Sequence, residues 1–389
     1  MKAIAVVGAS LAGLNTARAL RRLGYDGRLY LVGDESAAPY DRTPLSKGFL
    51  EGKISVGALA LVADSDAGLE IEWLLGRRAT GLHPSRRTIQ LADGARLACD
   101  GVVVATGARA RTLPRAVLDG PGVPAGVHTL RTVADAQALR ADLRPGSRLV
   151  IVGAGFIGAE VASTASALGV DVTIVERGPL PLSGVFGNEL AAVFAARYDR
   201  HSVRVFTGTD VAGIEGGERV TGVRFADGRS LRADAVLTAA GAIPAVDWLA
   251  GSGVRLENGV VCDASCATSV PNVVAVGDCA NAYHPLIGEH HRTGHWTTAL
   301  NQPAVAAARL LGGPNARVRY EPLPYFWSDQ FGATVQFAGA ARPDDRLELA
   351  EGSYQTDSFL AVYRRDERPV AVCALNRPRS FAEWRRTLG

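Results

Sequence analysis

Two glycine-rich turns carry the first chemistry legible in the chain, Gly8-Ala9-Ser10-Leu11-Ala12-Gly13 and Gly153-Ala154-Gly155-Phe156-Ile157-Gly158. A turn of this kind at the start of a helix presents unpaired amides and the positive end of the helix dipole. A pyrophosphate binds there without a dedicated cation. Small residues let the phosphates approach the backbone, and the last glycine lets helix and strand pack closely. Ser10 stands where the pattern has its middle glycine; its side chain is small enough to be tolerated, and its hydroxyl could reach a phosphate. Acids follow each turn one strand later: Asp34 and Glu35 after the first, Glu176 after the second. A carboxylate there accepts ribose hydroxyls and repels a 2′-phosphate. Asp34 with Glu35 suits an adenosine without an extra phosphate, as in FAD, and Glu176 favours NADH over NADPH. Arg177 follows Glu176 at once and could host a phosphate, which leaves NADPH as the alternative.

Both turns need a buried strand before them and a helix after them. Ala3 to Val7 is a continuous apolar run, as a parallel strand covered on both faces should be. A helix is expected over Leu14 to Leu23, with Leu14, Ala17, Leu20 and Leu23 on one face and Arg18, Arg21 and Arg22 toward solvent. A strand follows from Arg28 to Val32. The unit recurs 145 positions later: Arg148 to Val152, a helix through Leu168, then Val172 to Val175. A second repeat strengthens the first. Ala92-Asp93-Gly94 leads through Asp100 to Val102–Gly107, and Ala226-Asp227-Gly228 leads through Asp234 to Ala235–Gly241. Each reads as a hairpin with an Asp-Gly turn and then a buried strand. Two related dinucleotide-binding domains, one inserted in the other, account for this pattern. Further on, Asn258-Gly259 marks another hairpin, Asn272 to Val276 a strand, and Thr297 to Leu311 a helix. From Arg319 the alternation and the aromatic residues indicate a small α+β domain.

Four segments together resemble the bacterial FAD-dependent NADH:ferredoxin reductases, the flavoproteins that feed haem monooxygenases and ring-hydroxylating dioxygenases. They are Pro39-Tyr40-Asp41-Arg42-Thr43-Pro44-Leu45-Ser46-Lys47, Ala105-Thr106-Gly107, Val276-Gly277-Asp278-Cys279-Ala280 and Phe326-Trp327-Ser328-Asp329-Gln330. The resemblance implies an α/β fold of glutathione-reductase type with two Rossmann-like domains. An FAD domain (1–112 and 241–318) holds an inserted NAD domain (113–240), and a reductase domain occupies 319–389. It places FAD on Gly8, Ser10, Leu11, Ala12 and Gly13, with Asp34, Glu35, Ala79, Ala105, Thr106, Gly107 and Gly277 around it. Asp278, at a helix N-terminus, meets the ribityl chain, and Trp296 covers part of the ring system. Arg42 and Arg131 reach the phosphates or the adenine end. Lys47 lies near flavin N5 and the pyrimidine edge, where a cation stabilises the anionic reduced flavin. NADH takes Gly153, Gly155, Phe156, Ile157, Gly158, Glu176 and Gly241, and Glu160 lies beside Lys47 and the nicotinamide. Lys47 and Glu160 are the catalytic pair. The chain departs from the family at Ser10, at Gly184, where an arginine is usual, and at Gly294, where a glutamate is usual.

Composition bounds the rest. The 389 residues are 47% hydrophobic and 21% charged, enough for two or three domains with real cores. A net charge of +3 without a dense Lys/Arg stripe falls short of a nucleic-acid footprint and suits transient contact with an acidic protein partner, which the resemblance implies is an iron–sulfur ferredoxin. That partner would dock over the flavin edge, through arginines and Trp327. Five cysteines, Cys99, Cys262, Cys266, Cys279 and Cys373, form no CxxC pair and read as reduced, buried thiols. Glu289, His290, His291 and His295 invite a metal, but a place beside the flavin explains that segment better, and no metal is expected. No run approaches the ~20 apolar residues that span a bilayer, so the expectation is a cytoplasmic monomer or weak dimer with no membrane partner. Two rivals remain. An NADH oxidase or disulphide reductase of the same fold needs a reactive cysteine beside the flavin, which Pro44-Leu45-Ser46-Lys47 does not offer. A flavoprotein switch that responds to NADH without fast turnover is the other.

Overall fold

A computed structural model describes residues 1–118 and 122–388. The chain divides into two units: Met1–Asp41, Leu59–Arg109 and Ile243–Pro324 form the first, and Arg42–Ala58, Ala110–Ala242 and Tyr325–Gly389 the second.

Each unit is built on five parallel strands in the same spatial order. In the first, Ala3–Val7 lies between Arg28–Val32 and Gly101–Val104, with Ile71–Leu74 and Val273–Ala275 at the edges. In the second, Arg148–Val152 lies between Asp171–Val175 and Ala235–Thr238, with Arg204–Phe206 and Val127–His128 outside. The central strands are buried because their residues are apolar on both faces: Ile4, Ala5, Val6, Leu149, Val150 and Ile151 are all 1% exposed or less. A three-stranded antiparallel sheet accompanies each, Ala79–His83 with Thr88–Leu91 and Arg96–Ala98, and Val211–Gly216 with Val220–Phe225 and Ser230–Arg232. The internal repeat read in the sequence is a repeat of architecture.

The repeated aspartates explain why the repeat includes them. Asp100 accepts hydrogen bonds from the Lys2 and Ala3 amides, and Asp234 accepts from the Arg148 amide and guanidinium at 2.7 to 2.9 Å. Each acid ties the start of the first strand to the start of its neighbour. Arg148 and the backbone hold the Asp234 carboxyl down at about 2. That group stabilises the fold above the ordinary carboxylate value near ~3.9, and the contribution is lost as pH falls through 2. Asp234→Asn is therefore expected to destabilise the protein by about 1 kcal/mol at neutral pH, a figure kept small by the half-exposed setting of the pair. Urea melts should show the difference at pH 7 and its disappearance between pH 4 and 2.

Two expectations are corrected. The first helix is Leu11–Arg22, beginning three residues before Leu14, because the chain turns within Gly8–Ser10 and is helical at once. Arg18 and Arg21 do not simply face solvent. Arg18 grips Asp66 and the Leu61 carbonyl, and Arg21 donates to the carbonyls of Leu69, Tyr25 and Gly27, satisfying loop groups that no strand pairs. Asn258 and Gly259 turn at positive φ as expected, and an antiparallel bridge joins Leu256 to Val260 across them, with the Val261 amide donating to the Arg255 carbonyl at 3.0 Å; the strand that follows, Val260–Cys262, also pairs in parallel with Ala280–His284. The helix Trp296–Gly312 packs beside Leu11–Arg22 in a core with Ile4, Val6, Leu29 and Leu31.

In the second unit, the C-terminal segment forms a five-stranded antiparallel sheet ordered Tyr325–Gln330, Ala333–Gly339, Arg368–Leu375, Ser358–Arg365, Arg346–Ser353, followed by the helix Pro378–Arg385. The helix Ser183–Arg200 lays Phe186, Leu190 and Phe194 against Phe326, Phe337 and Phe359 of that sheet. Arg197, 2% exposed, pairs with Asp357 and donates to the Gln330 carbonyl at 3.2 Å. No helix among the described residues is long and apolar enough to cross a membrane.

Candidate functional sites

The first unit gathers its site residues at the carboxyl ends of three adjacent strands, where open α/β sheets take their ligands. Gly8 ends Ala3–Val7, Ala105 to Gly107 follow Gly101–Val104, and Gly277 and Asp278 follow Val273–Ala275. Gly8 has φ +124, and a β-carbon there would strike the Ala105 carbonyl; one on Gly13 would strike the Gly8 carbonyl. Only glycine lets the turn fold back onto its own strand ends. Ser10 is the N-cap residue of Leu11–Arg22, with Leu11, Ala12 and Gly13 in the first turn. Ala79 opens the strand Ala79–His83.

Asp34 and Glu35 follow Arg28–Val32, where the sequence pattern puts them, and each has a partner the sequence does not advertise. Asp34 meets the Arg78 guanidinium at 3.2 Å, and Glu35 accepts the Tyr40 hydroxyl at 2.6 Å. Asp278 stands at a helix start that is supplied from elsewhere in the chain. It lies in the short turn Gly277–Cys279, and the α-helix end beside it belongs to Trp296–Gly312, which starts eighteen positions later in the chain. A β-carbon on Gly294 would lie 4.0 Å from the Asp278 carboxyl, and Gln302 of that helix accepts the Gly277 amide at 2.8 Å. Burial pushes the N-cap residue His295 down to about 4. Trp296 is the first residue of the helix. The arrangement fits a flavin dinucleotide on one observation in particular: Thr106 Oγ1 is buried and no protein oxygen or nitrogen satisfies it, its neighbour being the Cys279 thiol.

The second unit repeats the turn. Gly153, at φ +108, backs onto the Ala239 carbonyl, where a β-carbon would come within 2.6 Å, and Gly158 backs onto the Gly153 carbonyl. Gly155 differs: a β-carbon there would meet nothing within 4 Å. That open cradle over backbone amides fits a pyrophosphate, and Gly241, also at positive φ, faces open space too. Phe156 contributes backbone rather than ring to this turn, because its ring packs on Phe326 and Phe186 at centroid distances of 4.7 and 5.8 Å. Ile157 is exposed. Glu176 follows Asp171–Val175, with one oxygen accepting the Ala154 amide at 2.7 Å and the other the Gly178 amide at 2.6 Å. The acid is thereby fixed against the turn. Gly184, in the first turn of Ser183–Arg200, faces open space.

A third constellation lies within the second unit. Glu160, in the helix Phe156–Ala167, is 4% exposed, and a carboxylate so placed is expensive unless paired. It is paired three times: with the Lys47 ammonium at 2.7 Å, the Ser46 hydroxyl at 2.5 Å and the Ser328 hydroxyl at 2.6 Å. Lys47 also donates to the Thr43 carbonyl at 3.2 Å, and Gln330 donates to Ser328 at 2.9 Å. The turn Thr43–Ser46 is held by Thr164, whose hydroxyl donates to the Ser46 carbonyl at 2.8 Å. Lys47 and Glu160 are thus brought together from positions 113 apart. Ser46, Ser328 and Gln330 were not among the candidates, although all three sit inside two of the four segments that carried the resemblance. Arg42 and Arg131 are neighbours in the same unit, the Arg42 guanidinium donating to the Arg131 carbonyl at 2.8 Å.

The five cysteines are free and buried. Burial pushes each thiol up, Cys279 to about 11 and Cys99 and Cys266 to about 12. Such thiols are poor nucleophiles. Among the described residues no three His, Cys, Asp or Glu side chains gather as metal ligands.

Comparison with known proteins matches residues 2–303 to the pyridine nucleotide-disulphide oxidoreductase family and residues 325–389 to the reductase C-terminal family. The chain is 40% identical over 387 residues to the ferredoxin–NAD(+) reductase component of the biphenyl dioxygenase system of Paraburkholderia xenovorans, covering 99% of this chain and 93% of that one. It is 35% identical to putidaredoxin reductase of Pseudomonas putida over 383 residues, 97% of this chain and 89% of the relative. Among solved structures, the covalent putidaredoxin reductase–putidaredoxin complex superposes with a TM-score of 0.93 at 34% identity, covering 99% of this chain and 92% of that one. The duplicated turns, the glycines that only glycine can serve and these matches converge: the chain belongs to the pyridine nucleotide-disulphide oxidoreductase family, as an oxidoreductase with FAD and NAD(H) as its cofactors.

Proposed function

We propose that the protein is an NADH:ferredoxin reductase that delivers electrons to an iron–sulfur ferredoxin serving a haem monooxygenase or a ring-hydroxylating dioxygenase. The observation that carries this reading is the duplicated strand–turn–helix with a C-terminal reductase sheet, since two dinucleotide sites in one chain imply a transfer between two dinucleotides. FAD, when bound, takes two electrons as hydride and gives them up singly. The first turn and its neighbours, Thr106, Gly277 and Asp278 among them, would hold the FAD; the second turn with Glu176 would hold NADH. Glu160, Ser46 and Ser328 orient the Lys47 ammonium, and that cation stabilises negative charge on the reduced cofactor. Arg42 and Arg131 serve the phosphate or adenine end. The disulphide chemistry of other family members finds no thiol here: the five cysteines are buried and held protonated. Reduced thiols throughout also suit the cytoplasm. The mildly basic chain suits a transient, acidic ferredoxin partner.

The test is anaerobic stopped-flow absorbance with NADH and then NADPH. Rapid bleaching of the flavin band with NADH, at least about tenfold faster than with NADPH, is the expected result. Bleaching only with NADPH would transfer the coenzyme preference from Glu176 to Arg177. Negligible bleaching with either would put the NADH-responsive switch ahead of the reductase.

A further inference from the structure

The residue after Glu176 is an arginine, the side chain that in dinucleotide-binding units most often meets a 2′-phosphate. In this structure it is committed elsewhere. Arg177 Nε donates to Asp210 Oδ1 at 2.7 Å, and the carboxylate holds the guanidinium pKa above its ordinary value. The pairing is built into the backbone. The Glu176 amide donates to the Phe206 carbonyl at 2.8 Å, the Thr209 amide to the Glu176 carbonyl at 3.0 Å and the Gly208 amide to the Gly178 carbonyl at 3.0 Å. Segments 176–178 and 206–209 are therefore zipped together, and the Ala226 amide fixes the Asp210 carbonyl at 2.9 Å. The ladder keeps the backbones of Arg177 and Asp210 adjacent, and the pair closes between them at the surface. On the other side, both Glu176 oxygens are held by the Ala154 and Gly178 amides, so the acid stays fixed against the turn.

We propose that Asp210 is a positioning residue for coenzyme choice: by holding Arg177 it withholds from a 2′-phosphate the guanidinium adjacent to Glu176, so that Glu176, Arg177 and Asp210 together select NADH. A 2′-phosphate at this edge faces a fixed carboxylate and a cation already neutralised. NADH, which carries hydroxyls there, needs neither change. The proposal rests on the assignment of the second turn to NADH.

Isothermal titration of the FAD-loaded protein with NAD+ and with NADP+ tests both layers. Asp210→Ala is expected to tighten NADP+ about 3- to 10-fold, the range of one exposed charge-assisted contact, while NAD+ moves less than about twofold. Asp210→Asn, which keeps a hydrogen-bonding group without the charge, should give a smaller gain. Adding Arg177→Ala to Asp210→Ala should return NADP+ to the wild-type affinity, and high salt should erode the gain. Unchanged NADP+ affinity in Asp210→Ala would overturn the proposal. So would equal changes for both coenzymes, the signature of a structural role, because the two differ only in the 2′-phosphate. A wild-type protein that binds neither coenzyme would instead overturn the coenzyme assignment of the second turn, and with it this inference.

Discussion

Exchanging Lys47 for methionine is expected to slow NADH oxidation about 100-fold, with the protein folded and its flavin retained. The ammonium sits 2.7 Å from Glu160, and the Thr43 carbonyl and the Ser46 hydroxyl also lie within reach of it. A cation held by a fixed carboxylate needs no reorganisation when negative charge develops, which is where preorganised electrostatics act most strongly. Methionine keeps the apolar stem of the side chain and removes the ammonium, its charge and its donors together. Lys47→Arg restores a charge but not a compact ammonium, so it should recover part of the rate. Glu160→Gln acts through Lys47: the ammonium loses its counter-charge, and turnover falls about tenfold. The double variant should then be no slower than Lys47→Met alone, because residues that act as a unit are not additive. Stopped-flow reduction of the flavin by NADH, with the flavin-to-protein ratio measured on each variant, decides the matter. Lys47→Met within threefold of wild type would remove Lys47 from the chemistry, and fully multiplicative losses would make Glu160 an independent actor.

What sequence could and could not reveal follows from the range of each interaction. The strands Ala3–Val7 and Arg148–Val152 were legible because continuous apolar runs ending in glycine have few other uses in an α/β chain. The repeat with Asp100 and Asp234 was legible as pattern, while its reason, a carboxylate clamping the amide of a neighbouring strand, emerged only with the strands in register. The surroundings of Glu160 were hidden for a different reason. Its partners Ser46 and Ser328 lie 114 and 168 positions away, and serine at those places carries no periodicity or charge that sets it apart. The same holds for Arg78 beside Asp34 and Asp210 beside Arg177, 44 and 33 positions apart. Adjacent residues can also be silent: Asp278 precedes no long helix in the chain, and the helix end that faces it is supplied by residues from 294 onward.

The assignment of one cofactor to each turn can be separated by a matched pair of substitutions, Gly13→Ala and Gly158→Ala. The two glycines are structural equivalents. Each lies in the first turn of its helix, and a β-carbon on each would enter the carbonyl oxygen of the first glycine of its own turn, Gly8 or Gly153. Leu31 closes on Gly13 from the side, 3.2 Å from that β-carbon, and Ile151 on Gly158 at 3.4 Å. Neither helix can accept a methyl group without lifting off its strand, which costs about 1–3 kcal/mol and displaces the amides proposed to meet the phosphates. The damage differs in what it releases. Gly13→Ala should emerge colourless, or with flavin lost on dilution, since the FAD pyrophosphate has no other helix end in that turn. Gly158→Ala should stay yellow with full flavin occupancy and yet be reduced by NADH at least about 100-fold more slowly, because only the coenzyme turn has moved. Dithionite, which needs no coenzyme site, should still bleach it at the wild-type rate. The reverse pattern, a yellow Gly13→Ala that ignores NADH beside a colourless Gly158→Ala, would exchange the two cofactors between the turns. Equal loss of flavin from both would mean that the second turn supports the first unit's fold as much as it binds coenzyme.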